Sequence, residues 1–410
     1  MQNKKRTAGA ISLFELEIEK LVYGGDGLGR YQGKVVFVPF TAPGERIEVR
    51  PVEQKKGFTR AALTRIVKPA PGRTDPPCRH FGRCGGCQWQ HLDYSLQVAA
   101  KRRILEELFH HHFPETKQLP IVFQPSPEAY GYRSRARLQL RGAGEKTQVG
   151  FFRHRSHQVE DVDACPLFRP QLNAALANVR SIYREGQLGS TDLELDLACA
   201  EDGSWAMANA RQAEMSASDS SRDLLSREVG GYRYAAAAGV FFQANDFLVG
   251  ALAAAIGRLS IPGGAALDLF SGVGFFSLPL ARRYRKVVAI EGDATAHRLC
   301  IENATAAGFD NIDAVCAGVE SWMQAVGSVS APGFDLILLD PPRAGAGPPV
   351  MGQIAAWAPE TILYVSCDPQ TLCRDLAVLP GRDYRIDHVE GLDMFPQTYH
   401  FETIVRLRRR

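Results

Sequence analysis

Between residues 12 and 67, apolar and polar positions alternate or β-branched residues cluster in short runs, FELEIEKL, KVVFVPF, ERIEVRPVE and RAALTRIV. A period of two puts successive side chains on opposite faces of an extended chain, so each run predicts a half-buried strand. The glycine-rich turn GGDGLGRYQG separates the first two runs. Five short strands around such a turn predict a small β-barrel. Pro69-Ala70-Pro71-Gly72 breaks the pattern and reads as a linker. The period then lengthens. Ala100, Ile104, Leu105 and Leu108 form one apolar face of a helix from Tyr94 to His112. Residues 121–240 are mainly strand-like, with one helix near 171–184 and a polar loop near 216–221. From about residue 243, helical segments alternate with short apolar strands at 265–270, 287–290, 312–315, 334–339 and 362–365. That alternation predicts a layered α/β unit with a largely parallel sheet. The expected chain is therefore α/β and multidomain. It has a small β-barrel at 1–68, a central, mainly antiparallel β domain at 69–240, and a Rossmann-like domain at 241–410.

Hydrophobic content of 45% and charged content of 23% are ordinary for a soluble globular chain. The longest apolar stretch, 248–256, is far shorter than the ~20 residues of a membrane span. Lys4-Lys5-Arg6 precedes an apolar segment that already ends at Glu15, a poor signal peptide. A cytoplasmic location without membrane association is the expectation. The 9 cysteines then read as thiols or ligands rather than disulfides. The net charge of +3 hides an asymmetry: residues 1–68 hold 13 Lys and Arg against 7 Asp and Glu. Such a basic surplus suits a polyanion such as RNA, and equally a merely basic small domain.

Cys78, Cys84 and Cys87 place three thiols within ten residues, with Gly82, Gly85 and Gly86 allowing a tight wrap. Cys165, which precedes a proline in DACPLF, is the best candidate for a fourth ligand. Thiolates suit zinc or an iron–sulfur cluster. Zinc sites usually pair two Cys-x2-Cys units, so one such pair with a remote cysteine favours iron–sulfur. Farther on, ALDLFSGVGFFSLPLA reads as strand, glycine turn and helix. Glu291 ends the next strand, where an acid binds a ribose hydroxyl pair. The dinucleotide fingerprint wants a third glycine or an alanine where Ser277 stands, and it does not predict Asp340-Pro341-Pro342-Arg343 at a later strand end. Strand-end acids with a Pro-Pro turn resemble S-adenosyl-methionine-dependent methyltransferases.

Together these motifs resemble the RNA uracil-5-methyltransferase family over nearly the whole chain. GGDGLGR and VVFVPFTAPGE resemble a TRAM domain, an RNA-binding barrel. PPCRHFGRCGGCQWQHL and CPL resemble the family's four-iron–four-sulfur ligand set, which implies Cys78, Cys84, Cys87 and Cys165 as ligands. YRSRARL, FFQAN, DLFSGVG, LDPPRAG, SCDPQTLCRDL and DMFPQTYHFE resemble its remaining motifs, in order. Family members with both TRAM domain and cluster most often modify 23S ribosomal RNA, and some cluster-bearing relatives act on tRNA. A non-catalytic RNA-binding iron–sulfur protein is the contrasting class. Two positions depart from the family pattern. Phe275 stands where a polar residue often contacts the cofactor, and Gly318 where a close relative offers an amide.

Uracil C5 is a poor nucleophile until a thiolate adds to C6. Methylation there needs an activated cysteine, a general base and a methyl donor in line. Cys367 ends an apolar strand, where α/β folds deliver side chains to a ligand crevice. Pro369 suits the first turn of the helix that follows. The resemblance implies Glu402 as proton acceptor, with His400 on the same strand face as its support. It also implies Gln243, Phe270, Glu291 and Asp340 as cofactor residues, and no obligate protein partner. Arg133 and Arg135 are read either as phosphate contacts or as a solvated strand face. Cys199, Cys300, Cys316 and Cys373 read as core packing.

Overall fold

The alternating N-terminal runs close into a barrel in the computed structural model, which describes residues 13–189, 192–210, 224–327, 333–379 and 383–410. The basic triplet at 4–6 and the polar loop expected at 216–221 lie outside the described residues. The chain divides into two units, Met1–Ile104 with Gln397–Tyr399, and Leu105–Pro396 with His400–Arg410.

In the first unit, β1 (Phe14–Leu21), β2 (Gly27–Tyr31), β3 (Lys34–Val38), β4 (Arg46–Gln54) and β5 (Phe58–Lys68) close in the order β1-β2-β3-β5-β4. Their inward positions Leu16, Ile18, Val36, Val38, Ile47, Val49 and Ala61 form one core. The period-two pattern is clearest in β1 and β4, where Leu16 and Ile18 alternate with exposed Glu17 and Glu19, and Ile47 and Val49 with exposed Arg46 and Arg50. Helix α1 (Tyr94–His112) begins in this unit.

The second unit opens with β6 (Val122–Gln124). Next come β7 (Arg135–Arg141), β8 (Gln148–Phe152), β9 (Val159–Asp161), α2 (Pro170–Arg184), β10 (Leu193–Cys199) and β11 (Trp205–Asn209). These strands form an antiparallel sheet in the order β11-β10-β7-β8-β9, and Leu172, Leu176 and Val179 of α2 pack into its core. A hairpin of β12 (Leu224–Val229) and β13 (Tyr232–Ala237) follows. Helix α3 (Val249–Leu259) then leads into the α/β layer. Its elements are β14 (Gly263–Leu269), α4 (Ser277–Ala281), β15 (Tyr284–Glu291), α5 (Ala294–Ala306), β16 (Ile312–Cys316) and α6 (Val319–Val326). They continue with β17 (Leu336–Leu339), α7 (Gly347–Trp357), β18 (Thr361–Ser366), α8 (Pro369–Leu376), β19 (Tyr384–Leu392) and β20 (Glu402–Arg409).

The large sheet runs β16-β15-β14-β17-β18-β20-β19-β6. Its first five strands are mutually parallel, with β17 and β18 buried along their entire length. Helices on both faces explain why these strands read as unbroken apolar runs. Beyond β18 the sheet departs from the parallel expectation, because β20 pairs antiparallel with both β18 and β19. Strand β6, from the stretch assigned to the central region, joins this sheet beside β19. Cys199, Cys300 and Cys373 are buried, as expected, but Cys316 is exposed: it ends the edge strand β16, which no further strand covers. No helix among the described residues is long and apolar enough to cross a membrane.

Leu338, fully buried at the centre of the sheet, tests the weight of this core. Leu338→Ala is expected to cost about 2–5 kcal/mol, read as a lowered urea midpoint with an unchanged slope.

Candidate active site

The carboxyl ends of the parallel strands form one edge of the large sheet. Phe270 follows β14, Glu291 ends β15, Asp340 follows β17 and Cys367 follows β18. Strand β20 runs the opposite way, so its first residue, Glu402, reaches the same edge. Ser366 pairs with Thr403, and one further step of that register puts Cys367 opposite Glu402. The Asp340 amide donates to Leu269 O at 3.3 Å, and the Ser271 amide to Ile290 O at 3.0 Å, so the loops leave the edge together.

The cofactor candidates take recognisable stations here. Phe270 has φ +62°, a left-handed conformation uncommon for a bulky residue, which turns the chain sharply into Ser271-Gly272. Glu291 accepts the Gly272 amide at 2.8 Å and the Asp293 amide at 2.7 Å, tying the glycine turn to the end of β15. Gly274 needs its hydrogen: with φ +83°, an added β-carbon would lie 2.9 Å from Cys300 Sγ. Gln243 is buried on the segment before α3. Asn245 pins that segment to the approach to β20, donating to Met394 O at 3.2 Å. Phe275 turns its ring into the core against Tyr234, Phe242 and Phe276, and its carbonyl accepts the Tyr234 hydroxyl. A β-carbon added at Gly318 would make only ordinary contact, 3.8 Å from Ser321 Oγ.

The edge is rich in acids with little water to support their charge. Burial pushes the Asp268 carboxyl up to about 7; the hydrogen bond from Ser277 opposes this, and the Glu291 charge adds to it. Burial likewise lifts Asp340 to about 7, with the Asp268 charge reinforcing it. Glu402 is raised well above the carboxylate range, by burial and then by the Asp340 charge, while Arg343 works the other way. Burial pushes the Cys367 thiol to about 12, aided by the Glu402 charge, while the Arg343 guanidinium pulls it down. Glu402 Oε2 and Asp268 Oδ1 are buried with no hydrogen-bond partner. Unsatisfied buried polar atoms of this kind carry a desolvation penalty.

Arg343 was quoted in the D-P-P-R motif but given no role by sequence reasoning. The signal was a cation three residues beyond a strand-end acid. Its Nη2 donates to His400 Nε2 at 2.9 Å, so His400 engages this guanidinium. Arg135 is also reassigned. Its guanidinium donates to Ala237 O, Ala238 O and Val240 O, bracing the loop before Phe241, and is thereby committed within the protein. Arg133 Nε donates to Arg135 O at 2.7 Å.

Cys78, Cys84 and Cys87 lie in the first unit and Cys165 in the second, and all four are half-buried. The Gly86 amide donates to Cys84 Sγ at 3.4 Å, and Asn173 clasps both backbone groups of Cys165. Among the described residues, no group of three or more His, Cys, Asp or Glu side chains is placed to hold a metal ion.

A doubly wound sheet with a glycine turn, a ribose-type acid, and a thiol and carboxyl at one edge defines an α/β enzyme of the nucleotide-cofactor class. Comparison with known proteins narrows this. Residues 209–410 match the family model for tRNA (uracil-5-)-methyltransferases, and residues 14–71 the TRAM domain of tRNA (uracil(54)-C(5))-methyltransferase. The 23S rRNA (uracil(1939)-C(5))-methyltransferase RlmD of Pectobacterium atrosepticum is 34% identical, over 93% of this chain and 90% of that protein. An uncharacterized RNA methyltransferase of Synechocystis is 33% identical, over 97% and 96%. The crystal structure of Pyrococcus abyssi tRNA (uracil-54, C5)-methyltransferase with S-adenosyl-L-homocysteine has a TM-score of 0.73 and 26% identity, covering 96% of this chain and 100% of that one. The chain belongs to the RNA (uracil-5-)-methyltransferase family and is an enzyme of that activity.

The carboxyl shifts carry a sign. Asp268 keeps its proton to about pH 7 when folded but, as an ordinary aspartate, only to about 4 when unfolded. The folded state therefore holds the extra proton between these values, and stability falls as pH rises from 4 towards 7. Asp268→Asn is expected to flatten that decline, measured as urea midpoint against pH; an unchanged slope would contradict the assignment.

Proposed function

We propose that this enzyme methylates C5 of a uridine in 23S rRNA through a covalent bond between Cys367 and C6. The observation that carries the reading is the β18–β20 register, which sets Cys367 opposite Glu402 with Asp340 on the neighbouring strand end. Cys367 Sγ adds to C6, and the ring electrons move towards C5 and O4. C5 takes the methyl group. Glu402 removes the C5 proton, and the electrons of that bond expel Cys367 as thiolate. The target base must leave its stack to reach this edge.

The residues present fit S-adenosyl-methionine. Gly272 has open space around it, Glu291 at the end of β15 is hydrogen-bonded to its amide, and Glu402 Oε2 and Asp268 Oδ1 are buried without a partner. The cofactor supplies an electrophilic methyl group on a positively charged sulfonium, a charge that favours ionised Asp340 and Glu402. Glu291 holds the ribose hydroxyls, Phe270 and Gln243 line the cofactor, and Asp340 lines the junction of cofactor and base. In the free chain Glu402 is held protonated by burial and by Asp340, so ionising it is part of reaching the reactive state.

Relatives named for 23S rRNA match 93–98% of the chain at 34–36% identity and support that substrate. A tRNA uridine is the second reading, supported by the tRNA-named family models and the P. abyssi structure. The basic barrel suits either RNA. For Cys78, Cys84, Cys87 and Cys165 we read a four-iron–four-sulfur cluster. The donor chemistry of four half-buried cysteines fits, and the hydrogen bond from the Gly86 amide to Cys84 Sγ resembles those that tune cluster sulfurs.

Trapping tests the reaction. With S-adenosyl-methionine, 5-fluorouridine-substituted 23S fragments should give a gel-stable adduct that Cys367→Ala loses. An adduct with tRNA alone would move the substrate, and none with either RNA would sink Cys367 as nucleophile. Glu402→Gln should retain the adduct on ordinary RNA and slow turnover by about 10²–10⁴-fold. Protein purified without oxygen should hold ~4 iron and ~4 sulfide per chain, and Cys84→Ser should lose both. Iron-free protein with full activity and stability would remove the cluster from the reading.

A further inference from the structure

Asp375 is a fully buried carboxylate on α8, eight residues after the thiol. A buried charge is costly unless it is well paired and hydrogen-bonded. Here it is saturated. Oδ2 accepts the Ala346 amide at 2.7 Å, the Gly347 amide at 3.3 Å and the Tyr364 hydroxyl at 2.6 Å. Oδ1 accepts Arg374 Nε at 3.0 Å and Nη2 at 2.7 Å. Two of these five donors are backbone amides of the turn that follows Asp340. Another comes from β18, three residues before Cys367. Helix capping is done elsewhere, by Asp368, which accepts the Gln370 and Thr371 amides.

The same helix holds that turn at two further points. Thr371 Oγ1 donates to Arg343 O at 3.2 Å, and Arg374 Nη2 to Ala344 O at 2.6 Å. Four of the five residues from 343 to 347 are thus fastened through the backbone to α8. The fifth, Gly345, has φ +82°, and a β-carbon there would run into the Asp375 carboxylate and the Arg374 guanidinium. The one functional side chain the turn carries is Arg343. It is exposed and long, yet it hydrogen-bonds His400, and its charge opposes the rise of the Cys367 thiol pKa. Holding a rotamer-rich side chain to one geometry costs entropy, which a fixed backbone reduces.

The geometry points to Asp375 as a positioning residue that fixes the 343–347 turn so that the Arg343 guanidinium stays on His400, at the sheet edge that carries the Cys367 thiol. This deepens the proposed reaction and rests on Cys367 being its nucleophile. The turn, the thiol-bearing strand and the helix that follows share one carboxylate, so the cation and the sulfur are located by the same atom pair. A purely structural role would instead lower stability without a specific link to Arg343.

A double-mutant cycle separates the two. Full-length wild type, Asp375→Asn, Arg343→Ala and the double variant are treated with iodoacetamide at one pH, and alkylation of the Cys367 peptide is followed by mass spectrometry. Alkylation reads the thiolate fraction, and one pKa unit is tenfold in that fraction. Each single variant should alkylate roughly tenfold more slowly, and the double no more slowly than Arg343→Ala. Cofactor affinity should be unchanged in Asp375→Asn. Losses that multiply in the double variant, or wild-type alkylation in Asp375→Asn, would overturn the proposal. If Asp375→Asn fails to fold, Gly345→Ala displaces the turn from the other side, and the same cycle with Arg343→Ala decides. Alkylation needs no RNA. Coupled alkylation in a protein that traps no RNA would therefore count against the nucleophile reading and leave this placement standing.

Discussion

The antiparallel pairing of β20 with β18 is the constraint on which the site depends. A purely parallel sheet would deliver only strand carboxyl ends to the cofactor edge, each followed by a loop. Reversing one strand brings an amino end to the same edge. It sets Glu402 opposite Cys367 by hydrogen-bond register rather than by loop conformation. Because the side-chain period of a strand is two, a slip of one residue would turn Glu402 to the other face and replace it with Thr403. Both strands lie inside the sheet, with β19 and β6 beyond, so neither is free to slip.

That rigidity has an electrostatic consequence. Glu291, Asp268, Asp340 and Glu402 form a line of acids across four strands, linked by successive charge effects. With so little solvation, burial and the neighbouring charges raise Asp268, Asp340 and Glu402 alike. Arg343 is the cation that opposes this for both Glu402 and Cys367. An enzyme that adds a thiolate and later needs a carboxylate base must reverse this balance when its substrates arrive. A sulfonium cation at the glycine turn would act in that direction, which makes cofactor binding part of activation in the proposed cycle.

Much of this was legible in the chain because local periodicity and burial are encoded residue by residue. FELEIEKL alternates and builds a barrel wall; TILYVS does not alternate and lies between helical layers. Strand-end positions for Cys367, Asp340 and Glu291 follow from where apolar runs stop. What escaped depends on partners distant in sequence. The stretch at 122–124 carries no sign that it will pair with β19, since three residues hold too little pattern to name a sheet. Cys316 looks like core by its neighbours, but an edge strand leaves its end uncovered. Arg135 looks like a surface cation because sequence cannot show that three carbonyls of a later loop converge on it.

Arg135 and Asp375 show the same physical solution from opposite signs of charge. Each is buried or nearly so, and each spends its charge on backbone groups of a loop carrying site residues: Arg135 on carbonyls before Phe241 and Gln243, Asp375 on amides after Arg343. A loop cannot borrow rigidity from a ladder of strand hydrogen bonds, and its unpaired amides and carbonyls would otherwise go to water. A buried ion with several backbone partners supplies both needs at once. It satisfies the loop's polar groups and ties their positions to the sheet. The strands thus set the thiol and the carboxyl by register, and the buried ions extend that order to the loops.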